Sequence, residues 1–141
     1  MKVKYWFGLM LFLVPLVQIY CQTYKFQTTG FSVMAKDEKG DWGKWSDLQD
    51  TSILISLDTT KNRFIIYSQE IQLYDILSYE EKEENDSDLI YPFSCKDDDG
   101  VPFTLSIITR KNQNNRKQLY INHQNFIIVY NIVNYIEKGE R

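Results

Sequence analysis

Apolar and polar residues alternate with a period of two through most of the chain beyond residue 22. Phe31, Val33 and Ala35 alternate with Ser32 and Met34, and Ile53, Ile55 and Leu57 with Ser52, Leu54 and Ser56. Ile71, Leu73, Asp75 and Leu77 interleave with Gln72, Tyr74, Ile76 and Ser78. Leu89, Tyr91, Phe93 and Cys95 interleave with Ile90, Pro92 and Ser94, and Phe103, Leu105 and Ile107 with Thr104, Ser106 and Ile108. These stretches are rich in β-branched and aromatic residues, which suit a pleated surface with one face buried. The pattern predicts about eight strands: Thr23–Thr28 with Phe31–Lys36 (one bent strand or two), Ser52–Leu57, Arg63–Ser68, Gln69–Tyr79, Leu89–Cys95, Val101–Arg110, Lys117–Asn122 and Phe126–Asn134. The stretch 126–136 is apolar on both strand faces and suits a buried strand or a terminal helix; its β-branched content decides for strand.

The breaks between strands are short and polar. Asp58–Asn62, Lys96–Gly100, Lys111–Arg116 and His123–Asn125 each separate two strands, and Asp99-Gly100 is a hairpin turn signal. Short links make consecutive strands antiparallel neighbours. A flat meander of this length leaves two open edges, so a curled antiparallel barrel or sandwich is expected, all-β and in one unit.

The first 21 residues follow a different rule. Lys2 and Lys4 precede an apolar run from Tyr5 to Val17 that contains Gly8 and Pro15. That order reads as a secretory signal peptide, too short for a comfortable membrane span. Cleavage after Cys21 leaves 22–141 as a single domain, secreted, periplasmic or at the cell surface, with no transmembrane segment. A rival reading makes Cys21 the lipid-anchored residue of a lipoprotein, but Ile19-Tyr20 fits that motif badly.

Charge and composition then narrow the chemistry. The chain has 141 residues with 16 basic and 19 acidic side chains. Losing Lys2 and Lys4 with the leader makes the balance more acidic still, which argues against nucleic acid as partner. One His and two Cys are too few for a structural zinc site, and no cofactor is expected. Without the leader, Cys95 is the only cysteine, and its row-mates Tyr91 and Phe93 point to a buried, inert thiol. An earlier cleavage would allow a Cys21–Cys95 pair.

Asp41-Trp42-Gly43-Lys44-Trp45-Ser46-Asp47 is the most distinctive segment, with two tryptophans three apart in a loop. Indoles flanked by carboxylates suit stacking on sugars or anchoring a protein partner, so Trp42, Trp45, Asp41 and Asp47 are the candidate binding residues. The ordinary alternative is that the rings fold back to plug the end of the core.

Other motifs carry less. Glu80–Asp88 holds six carboxylates and one Lys, and Asp97–Asp99 adds three more, but neither has calcium-loop spacing. A solvated, mobile hairpin loop is the expected state of the acidic run. Asn85-Asp86-Ser87 is a glycosylation acceptor triplet in a eukaryotic host. Arg110-Lys111 and Arg116-Lys117 bracket one loop and read as either an anion-facing patch or a polar hairpin tip. Cys95 with His123, the chain's only imidazole, is the one pair suited to nucleophilic catalysis, and His123 sits in a turn.

The signal segment, the Cys21-Gln22 junction and the aromatic strand–turn–strand sequence resemble the small exported all-β proteins of bacteria. Gly40-Asp41-Trp42 resembles the Gly-x-Trp of lipocalins. There the motif lies on the first strand, whereas here it follows that strand in a loop, so no ligand residues carry over. The leading expectation is a non-catalytic exported domain that binds a protein partner or a surface glycan. The alternative is a barrel carrying an apolar ligand among inward residues such as Ile55, Phe64, Leu105 and Phe126; a hydrolase is the third reading.

Overall fold

Alternation builds a barrel here because every strand has one apolar row to bury and closing the sheet buries all of them together. The computed structural model describes residues 23–135. Residues 1–21, read above as a leader, lie outside the described residues, and so do the expected cleavage after Cys21, a lipid at Cys21 and a Cys21–Cys95 bond.

The strands are β1 (Thr23–Ala35), β2 (Gln49–Asp50), β3 (Leu54–Asp58), β4 (Arg63–Ile66), β5 (Gln72–Tyr79), β6 (Glu83–Glu84), β7 (Asp88–Lys96), β8 (Pro102–Arg110), β9 (Arg116–Asn122) and β10 (Phe126–Asn134). Eight of them, β1, β3, β4, β5, β7, β8, β9 and β10, form an antiparallel up-and-down barrel. β10 closes it by pairing with β1 from Phe26↔Asn134 to Ala35↔Phe126. β2 extends the sheet beside β1, and β6 pairs with β7. Among the described residues no helix is long and apolar enough to cross a membrane.

β1 is one bent strand rather than two. A bulge between Thr28 and Gly30 bends it, and the residues after the bulge return to the inward row. Thr28, almost fully buried, accepts a hydrogen bond from the Ile53 N–H at its hydroxyl, and its own N–H donates to the Ile53 carbonyl. A buried polar side chain is thus satisfied where β3 begins. Gly30 is where the chain crosses closest: a Cβ there would lie 3.1 Å from Leu48 Cδ1 and 3.2 Å from the Gln49 carbonyl oxygen.

The barrel interior is filled. Ile55, Phe64, Ile66, Leu105, Leu119 and Ile121 are fully buried in one cluster. Phe64 meets Phe93 edge-on at 5.0 Å, and Tyr74 meets Phe103 at 5.0 Å. In β5 the buried row is Tyr74 and Ile76, while Leu77, and Ile71 just before the strand, face solvent. Near one end a more polar patch survives, where the Tyr74 hydroxyl donates to Gln72 Oε1. Burial raises the hydroxyl pKa of both Tyr74 and Tyr130 above the ordinary tyrosine value.

The acidic run, expected as a mobile loop, is instead pinned. β6 lies within it, and Lys111 Nζ reaches Glu84 Oε2 at 2.7 Å and the Asn85 carbonyl at 2.9 Å. Asn85 Oδ1 accepts from the N–H groups of Ser87 and Asp88. Lysine supplies the counter-charge that lets a hairpin rich in like charges order.

Candidate functional site

The tryptophan segment leaves the end of β1 and folds back along it. Gly43 N–H donates to the Ala35 carbonyl, Ser46 N–H to the Val33 carbonyl, and Val33 N–H to Ser46 Oγ. Lys36 and Trp42 form a β-bridge. The segment therefore occupies the edge of β1 that lies beyond the start of β3, a strand-like path without strand-like alternation.

This places both indoles on the outer wall, where neither plugs the core. Trp42 is 45% and Trp45 42% exposed. Lys36 Nζ stands 5.0 Å from the Trp42 ring centroid. Trp45 meets Tyr120 edge-on at 6.4 Å. Tyr120 lies on the outward row of β9, in register with Val129, which is outward yet buried. Its hydroxyl accepts from Arg110 Nη2 at 3.0 Å, and Arg110 Nη1 is 3.1 Å from Asp88 Oδ1. Asp41 and Asp47 are exposed, and their carboxylates make no hydrogen bond or ion pair among the described residues. The four candidate residues thus share one short segment, with the two rings steadied from β1 and β9.

Other acids are committed to their own turns. Asp37 Oδ1 accepts from the N–H groups of Lys39 and Asp41, Asp58 Oδ1 from Thr60 and Lys61, and Asp97 Oδ1 from Asp99 and Val101. Such Asx turns are the ordinary use of Asp at the start of a tight loop, and Gly100 supplies the positive φ of 79° that the last one needs. Among the described residues no group of three or more His, Cys, Asp or Glu is placed to hold a metal ion.

The bracketed basic loop does not present four free charges. Arg110 and Lys111 pair with Asp88 and Glu84, and Arg116 Nη1 reaches Asn131 Oδ1 at 3.2 Å. Lys117 stands on the inward row of β9, two residues before Leu119.

Cys95 and His123 are not set up as a nucleophile and base. Cys95 is 1% exposed, its thiol directed at the Phe93 carbonyl, and burial pushes its pKa up to about 12. His123 Nδ1 accepts from the Asn125 N–H, and its ring stacks on Phe126 at 4.5 Å.

Ile55, Phe64 and Leu105, expected around an interior ligand space, are closed core; Phe126 packs against that core from its edge. Open space lies instead at the end of the barrel where β1 begins and β10 ends. A cup of about 400 Å³ is lined there by Tyr24, Phe26, Leu57, Tyr79, Tyr91 and Phe93, with Ile107 and Lys117 at one side. Reading the sequence for loop motifs misses this cup. The sequence carries one sign of it: Tyr91 shares the row of Leu89, Phe93 and Cys95 in the first half of that stretch.

Comparison with known proteins finds no family model, no curated protein and no solved structure that matches this chain.

Proposed function

We propose that this protein is a non-catalytic, exported binding domain that recognises a protein partner or a surface glycan through Trp42 and Trp45, with Asp41 and Asp47 as flanking acceptors. One observation carries the reading: two large rings stay half-exposed on a segment whose backbone is hydrogen-bonded to β1. Rings held in place before contact lose little freedom when a ligand stacks on them, so more of the contact energy survives as affinity. Carboxylates at Asp41 and Asp47 suit sugar hydroxyls or the backbone N–H groups of a partner. The non-catalytic part is supported by the buried thiol of Cys95 and the engaged Nδ1 of His123.

A chain starting at Gln22 contains only these two tryptophans, so its intrinsic emission reports on this face directly. Screening that chain on a glycan array and against host surface proteins, then titrating hits by emission, tests the reading. Trp42→Ala with Trp45→Ala is expected to abolish binding and leave the unfolding midpoint within about 1 kcal/mol of the parent. A double variant that binds as tightly as the parent, or one that no longer folds, overturns it.

A further inference from the structure

Inward rows in a closed barrel fill until the strands run out, and at most positions here they do. Tyr74 and Tyr130 stand on inward rows and are 5% and 6% exposed. At the opposite end three tyrosines stand on inward rows and stay open: Tyr24 at 47%, Tyr79 at 49% and Tyr91 at 44%. Tyr24 pairs with Leu57, Tyr79 with Phe93, and Tyr91 with Ile107, so each is anchored to a row that points inside. The β5 bulge between Ile76 and Ser78 is what turns Tyr79 inward; without it Ser78 would take that place.

Tyr79 is held rigidly. Its ring meets Phe93 edge-on at 5.6 Å, and its hydroxyl donates to Asn62 Oδ1 at 2.6 Å. The floor beneath the tyrosines is Phe26, Leu57 and Phe93, all buried. The space above that floor is about 400 Å³, near the lower end of the roughly 300–1,000 Å³ typical of small-molecule sites. It has room for one short chain or a compact ring system, not for a two-chain lipid.

Among the described residues that line the cup, one is charged. Lys117 lines the cup, and its ammonium makes no ion pair or hydrogen bond among the described residues. An ammonium beside an apolar hollow is complemented by an anionic head group on an apolar body.

We propose that this mouth is a binding site for a small, free amphiphile with a single anionic head group, a carboxylate or sulfonate, whose apolar part rests on Phe26, Leu57 and Phe93 while its head group meets Lys117. The site is independent of the tryptophan face and stands whether or not that face binds anything.

The test uses anilinonaphthalene sulfonate as a fluorescent probe on the native chain, with decanoate, decanol and decyltrimethylammonium as competitors. The expected result is one probe per chain, displaced by decanoate far better than by decyltrimethylammonium. Lys117→Gln weakens decanoate about tenfold or more, the scale of one lost charge-assisted contact, and leaves decanol unchanged. Ile107→Trp fills the cup and abolishes binding of all of them, with native far-ultraviolet dichroism confirming the fold. Equal competition by the cationic and anionic amphiphiles overturns the proposal, as does undiminished decanoate binding in folded Lys117→Gln or Ile107→Trp. Binding confined to phosphatidylglycerol vesicles, with no affinity for free decanoate, overturns it too and marks the tyrosine rim as a membrane contact.

Discussion

At one end of the barrel Tyr24, Tyr79 and Tyr91 stand on inward rows around a hollow; at the other, Trp42 and Trp45 lie on the outer wall beside Lys36 and Tyr120. The rings are exposed to nearly the same degree. What differs is the side of the sheet. On a strand that side is set by parity alone, so a one-residue bulge such as that in β5 converts an outward ring into part of a concavity. The two ends also differ in how they are built. The mouth draws residues from β1, β3, β5, β7, β8 and β9, whereas the tryptophans come from seven consecutive residues. A concave site assembled from six strands depends on the whole barrel, and a convex one carried by a single segment depends mainly on the strand it leans against.

That contrast is sharpened most strongly from the core. Phe64 lies against Phe93, the floor of the cup, and is fully buried. Phe64→Ala is expected to cost about 3–5 kcal/mol in urea unfolding. If the barrel is one cooperative unit, tryptophan emission and probe binding at the cup lose their native signals at the same urea concentration. Separate midpoints would break the comparison and make the ends independent units.

Alkaline pH is the next lever. Burial raises Cys95 from 9.0 to about 12 and raises Tyr74, Tyr79 and Tyr130 above 10.0. Each group binds its proton more tightly in the folded chain, so its contribution is complete below its unfolded pKa and is lost as pH rises toward the folded one. Stability should be insensitive to these groups up to about pH 9 and then decline, by about 1.4 kcal/mol per pH unit for each fully buried group within its window. Urea midpoints measured from pH 7 to 11 check this, and a decline beginning well below pH 9 contradicts it.

The smallest effect is local. Tyr120→Ala removes the ring that meets Trp45 edge-on and the acceptor for Arg110. It is expected to cost about 0.5–1.5 kcal/mol, the range for an aromatic pair, and to shift tryptophan emission to the red. Probe affinity at the cup should stay at the parent value. A weakened cup in this variant would show that the two ends communicate.

Much of the fold is readable from alternation, because burial on one face leaves a period-two trace in the residues themselves. Phe126–Asn134 is a strand as its β-branched content implies, and Thr23–Ala35 is continuous with a bend. Gln49–Asp50 and Glu83–Glu84 leave no such trace, since their pairing is all backbone and their side chains are exposed. Closure itself is invisible locally, because the β1–β10 seam depends on the summed twist and register of all the strands between. The tryptophan pair stands out by composition. Its position on the outer wall does not, because that follows from which edge of β1 remains free above β3. The cup is half legible: Tyr91 shares the row of Phe93 in the sequence, but Tyr79 reaches its place only through a bulge that no residue pattern announces.

The seam between β1 and β10 also sets an order in time. Residues 26–35 find their partners in 126–134, about a hundred positions later in synthesis. Until those residues emerge, β1 exposes a bare edge able to pair with any other nascent strand, and the ring cannot shut. Distant pairing of this kind folds slowly. Once shut, the ring no longer offers that long edge to a neighbouring chain, so the period of danger belongs to the chain's making and not to its working life.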